Sequence, residues 1–170
     1  RRRLKDFHET GHALVLREAT DVVVPNRLLA DLYRALAPNA EVHLTHPLWP
    51  ERKGPPRLQL DDGRLRIAYL GSRSHMRDIR VVAKRLARFL RGREDVELYT
   101  TLDPGNVFSR EGVRCFRLPV LRWRDHMGFV RDFAADIGLN PLLDTPFNRC
   151  RSINKFVEYG SLGAVCLYSR

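Results

Sequence analysis

LRIAYLGSRSHMRDIRVVAKRLARFLRGR, residues 65–93, changes its hydrophobic period once, at GSRSH. Before that point Leu65 to Leu70 form a short, mostly apolar run that ends on Gly71. Such a run reads as an interior strand of a parallel sheet, buried on both faces. After it, Ile79, Val82, Leu86, Phe89 and Leu90 recur at helical spacing, while Arg77, Arg80, Lys84, Arg88 and Arg91 fall on the other side. Ser74 is the expected N-cap of this helix and Gly92 its terminator. The stretch predicts a strand, a tight turn and a helix.

The same alternation continues on both sides. VELYTTL (96–102) and GVRCFRLPV (112–120) predict two further strands, and WRDHMGFVRDFAA (123–135) a helix. DIGLNPL (136–142) predicts a fourth strand, SINKFVEYGSLG (152–163) a helix and AVCLYS (164–169) a fifth strand. Towards the N-terminus, Val22 to Val24 predict a short strand and Asn26 a helix cap. Leu28, Leu29, Leu32, Tyr33 and Leu36 predict the helix, and Val42 to Leu48 another extended piece. The breakers of ERKGPPRLQLDDGR (51–64) mark a linker or surface hairpin. Strands alternating with helices predict an α/β fold, an open parallel sheet with helices on both faces. Ligands of such sheets bind beyond the C-terminal ends of the strands. Two places therefore stand out, GSRSH and the polar knot that follows the fourth strand.

Composition narrows the partners. The 30 lysines and arginines outnumber the 20 acids, for a net charge of +10. That excess favours polyanions: nucleic acid, a phosphorylated ligand or an anionic membrane surface. Equally, scattered arginines can be solvated surface. No apolar run approaches the ~20 residues of a membrane helix. The basic N-terminus has no apolar core behind it, so it does not read as a signal peptide. It opens in mid-pattern without Met, which reads as a fragment. Three cysteines, Cys115, Cys150 and Cys166, without CxxC spacing, suit a reducing cytosol better than a disulfide framework or a zinc site. Cys115 and Cys166 read as small core residues, and Trp49 and Trp123 as core or interface residues.

In GSRSHMRD (71–78), Gly71 gives a sharp turn and room for a ligand. Ser72, Ser74 and the amides of the helix start can donate to an anion, Arg73 adds a charge, and His75 points into the same space. This reads as a diphosphate cradle; the alternative is an ordinary strand-to-helix turn. GxGxxG and the Walker pattern are missing. In the later helix, Ile153, Phe156, Val157 and Gly160 share the face expected to pack on the sheet, with Lys155 and Glu158 on another face at i and i+3. Such a carboxylate can accept both hydroxyls of a ribose, while Asn148 and Arg149 reach the same ligand. The alternative is a surface Lys–Glu pair.

Three stretches carry a family likeness: ATDVVVPNRLLADLYRAL with EVHLTHP, LRIAYLGSRSHMRDI, and DIGLNPLLDTPFNRCRSINKFVEYGSLGAV (136–165). The chain resembles the C-terminal, nucleotide-sugar-binding half of the GT-B glycosyltransferases, within the retaining family 4 group. The resemblance implies a Rossmann-like domain over 65–170, preceded by a 1–50 segment that ends an N-terminal domain and passes between the two. It implies a nucleoside-diphosphate sugar as donor substrate, no cofactor and no bound metal. Gly71, Ser72, Arg73, Ser74 and His75 match the diphosphate loop. Glu158 matches the second acid of an E-x7-E pattern that holds the donor ribose, and Lys155 matches a lysine near phosphates or ribose. The first acid falls at Cys150, so the pattern is broken; Asp144 or Asn148 stands in for it. The implied activity is hexosyl transfer, with retention, to a glycan, lipid-linked or small-molecule acceptor. The resemblance implies that the acceptor half is missing apart from its last elements, so catalytic residues are not assigned and transfer by the piece alone is not expected. A cytoplasmic location, compatible with peripheral association at the inner face of the membrane, and no nucleic-acid partner complete the expectation. The competing reading is a basic module for nucleic acid or anionic surfaces without enzymatic activity.

One further motif is formally met. His8, Glu9 and His12 satisfy H-E-x-x-H, but Gly11 falls inside the required helix and no third ligand follows. A metal site is not expected there.

Overall fold

The computed structural model describes residues 11–46 and 62–169. His8, Glu9, Pro47, Leu48, Trp49, the 51–61 stretch and the Trp123 side chain lie outside them. The described residues form two compact units, 11–46 with 146–153, and 62–145 with 154–169. No helix among them is long and apolar enough to cross a membrane.

The first unit contains helix α1 (residues 11–18), strand β1 (Asp21–Val24), helix α2 (Arg27–Leu36), strand β2 (Glu41–Leu44) and the later helical turn α6 (Pro146–Arg149). β1 and β2 pair in parallel, Val22 opposite Val42. Asn26 caps α2 as the sequence predicts, its Oδ1 accepting from the Leu29 amide at 2.9 Å. Its other end explains why 146–153 belongs to this unit: Nδ2 donates to the carbonyls of Cys150 (2.7 Å) and Arg151 (3.2 Å). Asn26→Ala should remove a cap worth about 1 kcal/mol and leave two carbonyls without their donor. A circular-dichroism melt of the variant is expected to start several degrees early.

The second unit is a five-stranded parallel sheet. Its elements are β3 (Leu65–Tyr69), α3 (Met76–Leu90), β4 (Val96–Thr100), α4 (Val107–Arg110), β5 (Cys115–Arg117), α5 (Trp123–Asp132), β6 (Ile137–Asn140), α7 (Asn154–Ser161) and β7 (Val165–Tyr168). The strand order β5-β4-β3-β6-β7 is that of a Rossmann-like open sheet. The chain moves outward from β3 and then returns to lay β6 on β3's other side. That reversal opens a crevice at the C-terminal ends of β3 and β6.

Period-two alternation along β3 divides the core. Ile67 and Tyr69 face α3 and α4, packing with Ile79, Ala83, Leu90 and Phe108. Ala68 and Leu70 face the other layer, with Tyr159, Leu162, Phe129 and Phe133. Cys115 and Cys166 pack at the margins of these two cores. Burial, with Asp103 nearby, pushes the Cys115 thiol up to about 11, so it stays protonated.

Four local expectations change in the folded chain. Ser74 does not cap α3. A 3-10 turn, Arg73–His75, comes first, and the Ser74 hydroxyl bonds to that of Ser72 at 2.8 Å. The buried stripe of α3 runs through Ile79, Ala83, Ala87 and Leu90, because the two alanines let the helix approach the sheet closely. Phe89 stands outside at 62% exposed, under the Arg93 guanidinium. α7 also turns a different face inward: Glu158, Tyr159 and Leu162 are buried, while Ile153 and Phe156 are exposed. Inside, Tyr159 finds two hydrogen bonds and Glu158 finds His126 and the Lys155 ammonium, and these outweigh the burial of Phe156. Last, α4 was not expected; the Asp103 carboxylate organises it, accepting from the amides of Phe108 and Ser109 and from the Ser109 hydroxyl.

Candidate functional site at the sheet's reversal point

Tyr159 closes the seam between β3 and β6. Its hydroxyl donates to the Leu139 carbonyl at 2.8 Å and accepts from the Leu70 amide at 3.0 Å. Both groups lie just past the last β3–β6 pair, Ala68 with Gly138. The ring lies flat against Gly138, where any Cβ would come within 2.2 Å of it. Burial holds the phenol pKa well above its ordinary value, so the hydroxyl stays neutral.

The chain leaves β3 through Gly71. The Thr101 hydroxyl, at the end of β4, accepts from the Gly71 amide (2.8 Å) and donates to its carbonyl (2.6 Å). Gly71 is needed for packing: a Cβ there would sit 2.7 Å from the Tyr69 hydroxyl oxygen. The ring occupies the side on which a Cβ would stand, while the residue's backbone also lines an open crevice. Beyond it, the turn's first bonds run from the His75 amide to the Ser72 carbonyl and from the Met76 amide to the Arg73 carbonyl. The amides of Ser72, Arg73 and Ser74 therefore have no acceptor within the turn. They stand at the positive end of α3, fifteen residues long.

Above this turn is an open crevice of about 230 Å³. Leu70, Gly71, Ser72 and Thr101 form its floor, residues 119–121 one wall, and His126 of α5 and Lys155 of α7 the other. Behind that wall lies Glu158, 4% exposed. One carboxylate oxygen is 2.6 Å from His126 Nε2, and the other accepts from Lys155 Nζ. Burial alone would raise this carboxyl's pKa. The His126 hydrogen bond and the Lys155 charge outweigh it and hold Glu158 below the ordinary carboxylate range. Glu158 is thus an ionised, buried group, and the surface-pair alternative does not hold.

Of the predicted ligand-binding residues, Gly71, Ser72 and Lys155 line the crevice, with Glu158 directly behind Lys155. Arg73, Ser74 and His75 continue along the turn, and the crevice lining does not include them. The His75 ring lies 3.6 Å from Asp78 Oδ2, so it turns toward its own helix. Asp78 also accepts from the Leu143 amide at 3.1 Å, fastening the loop after β6. Asn148 and Arg149 belong to the first unit.

Sequence reading overlooked His126, Thr101 and Tyr159. His126 lies three and seven residues before Phe129 and Phe133, the aromatic side of its helix, and that spacing points it inward. Thr101 carried no signal, since it follows a strand like many threonines. Of the H-E-x-x-H motif, His12 falls within the described residues, where its Nε2 lies 3.1 Å from the Tyr33 hydroxyl. Among the described residues, exposed Asp21, Glu41 and His43 approach one another closely enough to share a cation. His43 Nε2 is already 2.8 Å from Asp21 Oδ1, and the trio is adequately explained as a surface ion pair.

No protein-family model matches the chain, and no curated protein matches it.

Proposed function

We propose that the second unit is the donor-binding domain of a glycosyltransferase and takes a nucleoside-diphosphate sugar in the crevice at the sheet's reversal point. One observation supports this reading: Ser72, the first of three amides without an acceptor in the turn, and Lys155 line the same crevice, and the turn carries the other two on from Ser72. The diphosphate rests on the amides of Ser72, Arg73 and Ser74, with Lys155 as its counter-charge. Arg73 is exposed beside them and adds long-range attraction. Glu158, buried behind the wall, holds Lys155 and His126 in place at the crevice. Acceptor binding and the transfer step, with retention, belong to a complete two-domain enzyme of the GT-B type, acting on a glycan or lipid-linked acceptor.

Thermal shift tests this directly. Uridine or guanosine diphosphate at about 100 times its Kd stabilises a binding protein by about 2.7 kcal/mol. For a chain of this size that is a rise in Tm of roughly 5–10 °C. The matching monophosphate should give a smaller rise, and Lys155→Ala should abolish most of it. A flat response to every nucleoside diphosphate would end the proposal.

A further inference from the structure

α3 turns one face to the sheet and the other to water, and the outer face is chemically one-sided. Arg77, Arg80, Lys84, Arg85 and Arg88 are all exposed along it. The helix's one acid, Asp78, is buried on the inner side. Among the described residues no carboxylate pairs with any of these five cations. The contrast with the next residues is clear, for Arg91 pairs with Glu111 at 3.1 Å and Arg93 with Asp95 at 2.9 Å. At the crest of the outer face, one turn from Arg77 and Lys84, stands Val81, 57% exposed. Phe89, 62% exposed, borders the same face two turns on.

We propose that the outer face of α3 docks on an anionic lipid bilayer. These five exposed cations attract anionic headgroups along about three turns of helix. Their long stems can lie along the surface while the charged ends reach the headgroups. Val81 and Phe89 then enter the boundary between headgroup and acyl chain, which is the pattern of a helix lying on a membrane. A nucleic-acid backbone would use the cations but not a valine at their centre. Phe89 is the helix's one aromatic residue, so the face offers no row of rings for bases to stack on. The crevice residues take no part in this surface, so the proposal stands apart from nucleotide binding.

The test is sedimentation of the full chain with phosphatidylcholine vesicles, with and without phosphatidylglycerol. Binding is expected only to the anionic vesicles and should weaken as salt rises. Reversing Arg80, Lys84 and Arg88 to Glu should cut partitioning by about 100-fold. If that variant melts early, Gln at the same three positions should still show a clear loss. Val81→Ser should weaken vesicle binding several-fold and leave binding to a DNA duplex unchanged. Equal binding to neutral vesicles, or undiminished binding by the charge variants, would overturn the proposal. So would displacement from vesicles by the duplex with Val81→Ser without effect, an outcome that assigns the face to nucleic acid.

Discussion

Gly138→Ala is expected to destabilise the second unit by about 3 kcal/mol, lowering its Tm by roughly 10 °C. The methyl would enter the space of the Tyr159 ring, which cannot retreat. Its hydroxyl is tied at once to Leu139 and Leu70, and its backbone belongs to α7. Two partners on opposite strands thus fix one ring against one glycine. Tyr159→Phe keeps the ring and deletes the hydroxyl, leaving the buried Leu70 amide without its acceptor, at about 1–3 kcal/mol. Tyr159→Leu should open a cavity large enough to accept the Gly138 methyl. The double variant Gly138→Ala with Tyr159→Leu should therefore be more stable than the sum of the single changes allows. Additive losses in thermal melts would show that the ring and glycine do not constrain one another.

Glu158→Gln should cost about 3 kcal/mol, because it keeps the shape and removes the charge that Lys155 and His126 face. The pH dependence has a definite sign. The folded Glu158 pKa lies below its ordinary value of 4.5. Its contribution to stability is therefore complete above about pH 4.5 and is lost as pH falls through the lowered folded value. Between pH 6 and 3 the parent protein should lose more stability than Glu158→Gln, so their melting curves should converge toward acid. Parallel curves would mean that folding leaves the Glu158 pKa at its ordinary value. The same substitution should weaken the nucleoside-diphosphate shift, since Lys155 loses the group that positions it. A variant that melts early yet keeps the full shift would confine Glu158 to a structural role.

The strand–turn–helix at 65–93 was legible because three local signals agree: an apolar run, a terminal glycine and a helical stripe. The same agreement located β4, β6 and β7 within a residue or two. It failed on α7, where periodicity favoured Ile153 and Phe156 as the inner face. Hydrophobicity ranks those side chains above Glu158, but only a packed interior offers a buried carboxylate both His126 and Lys155. The 146–153 segment was equally unreadable. Its attachment to Asn26 spans more than 120 residues of chain, and no local pattern records such a contact.

By itself, the order of residues determined the alternation of strands and helices, and hence a parallel α/β sheet. Those features follow from the period of apolar side chains and from glycines and caps acting over a few positions. Tertiary structure alone decided the rest: which strand lies beside β3, that Gly71 serves the Tyr69 ring, and that His126 joins Lys155 around one buried acid. Such choices depend on which distant side chains fill a space or meet a charge once the sheet has closed, and short-range patterning carries no term for either.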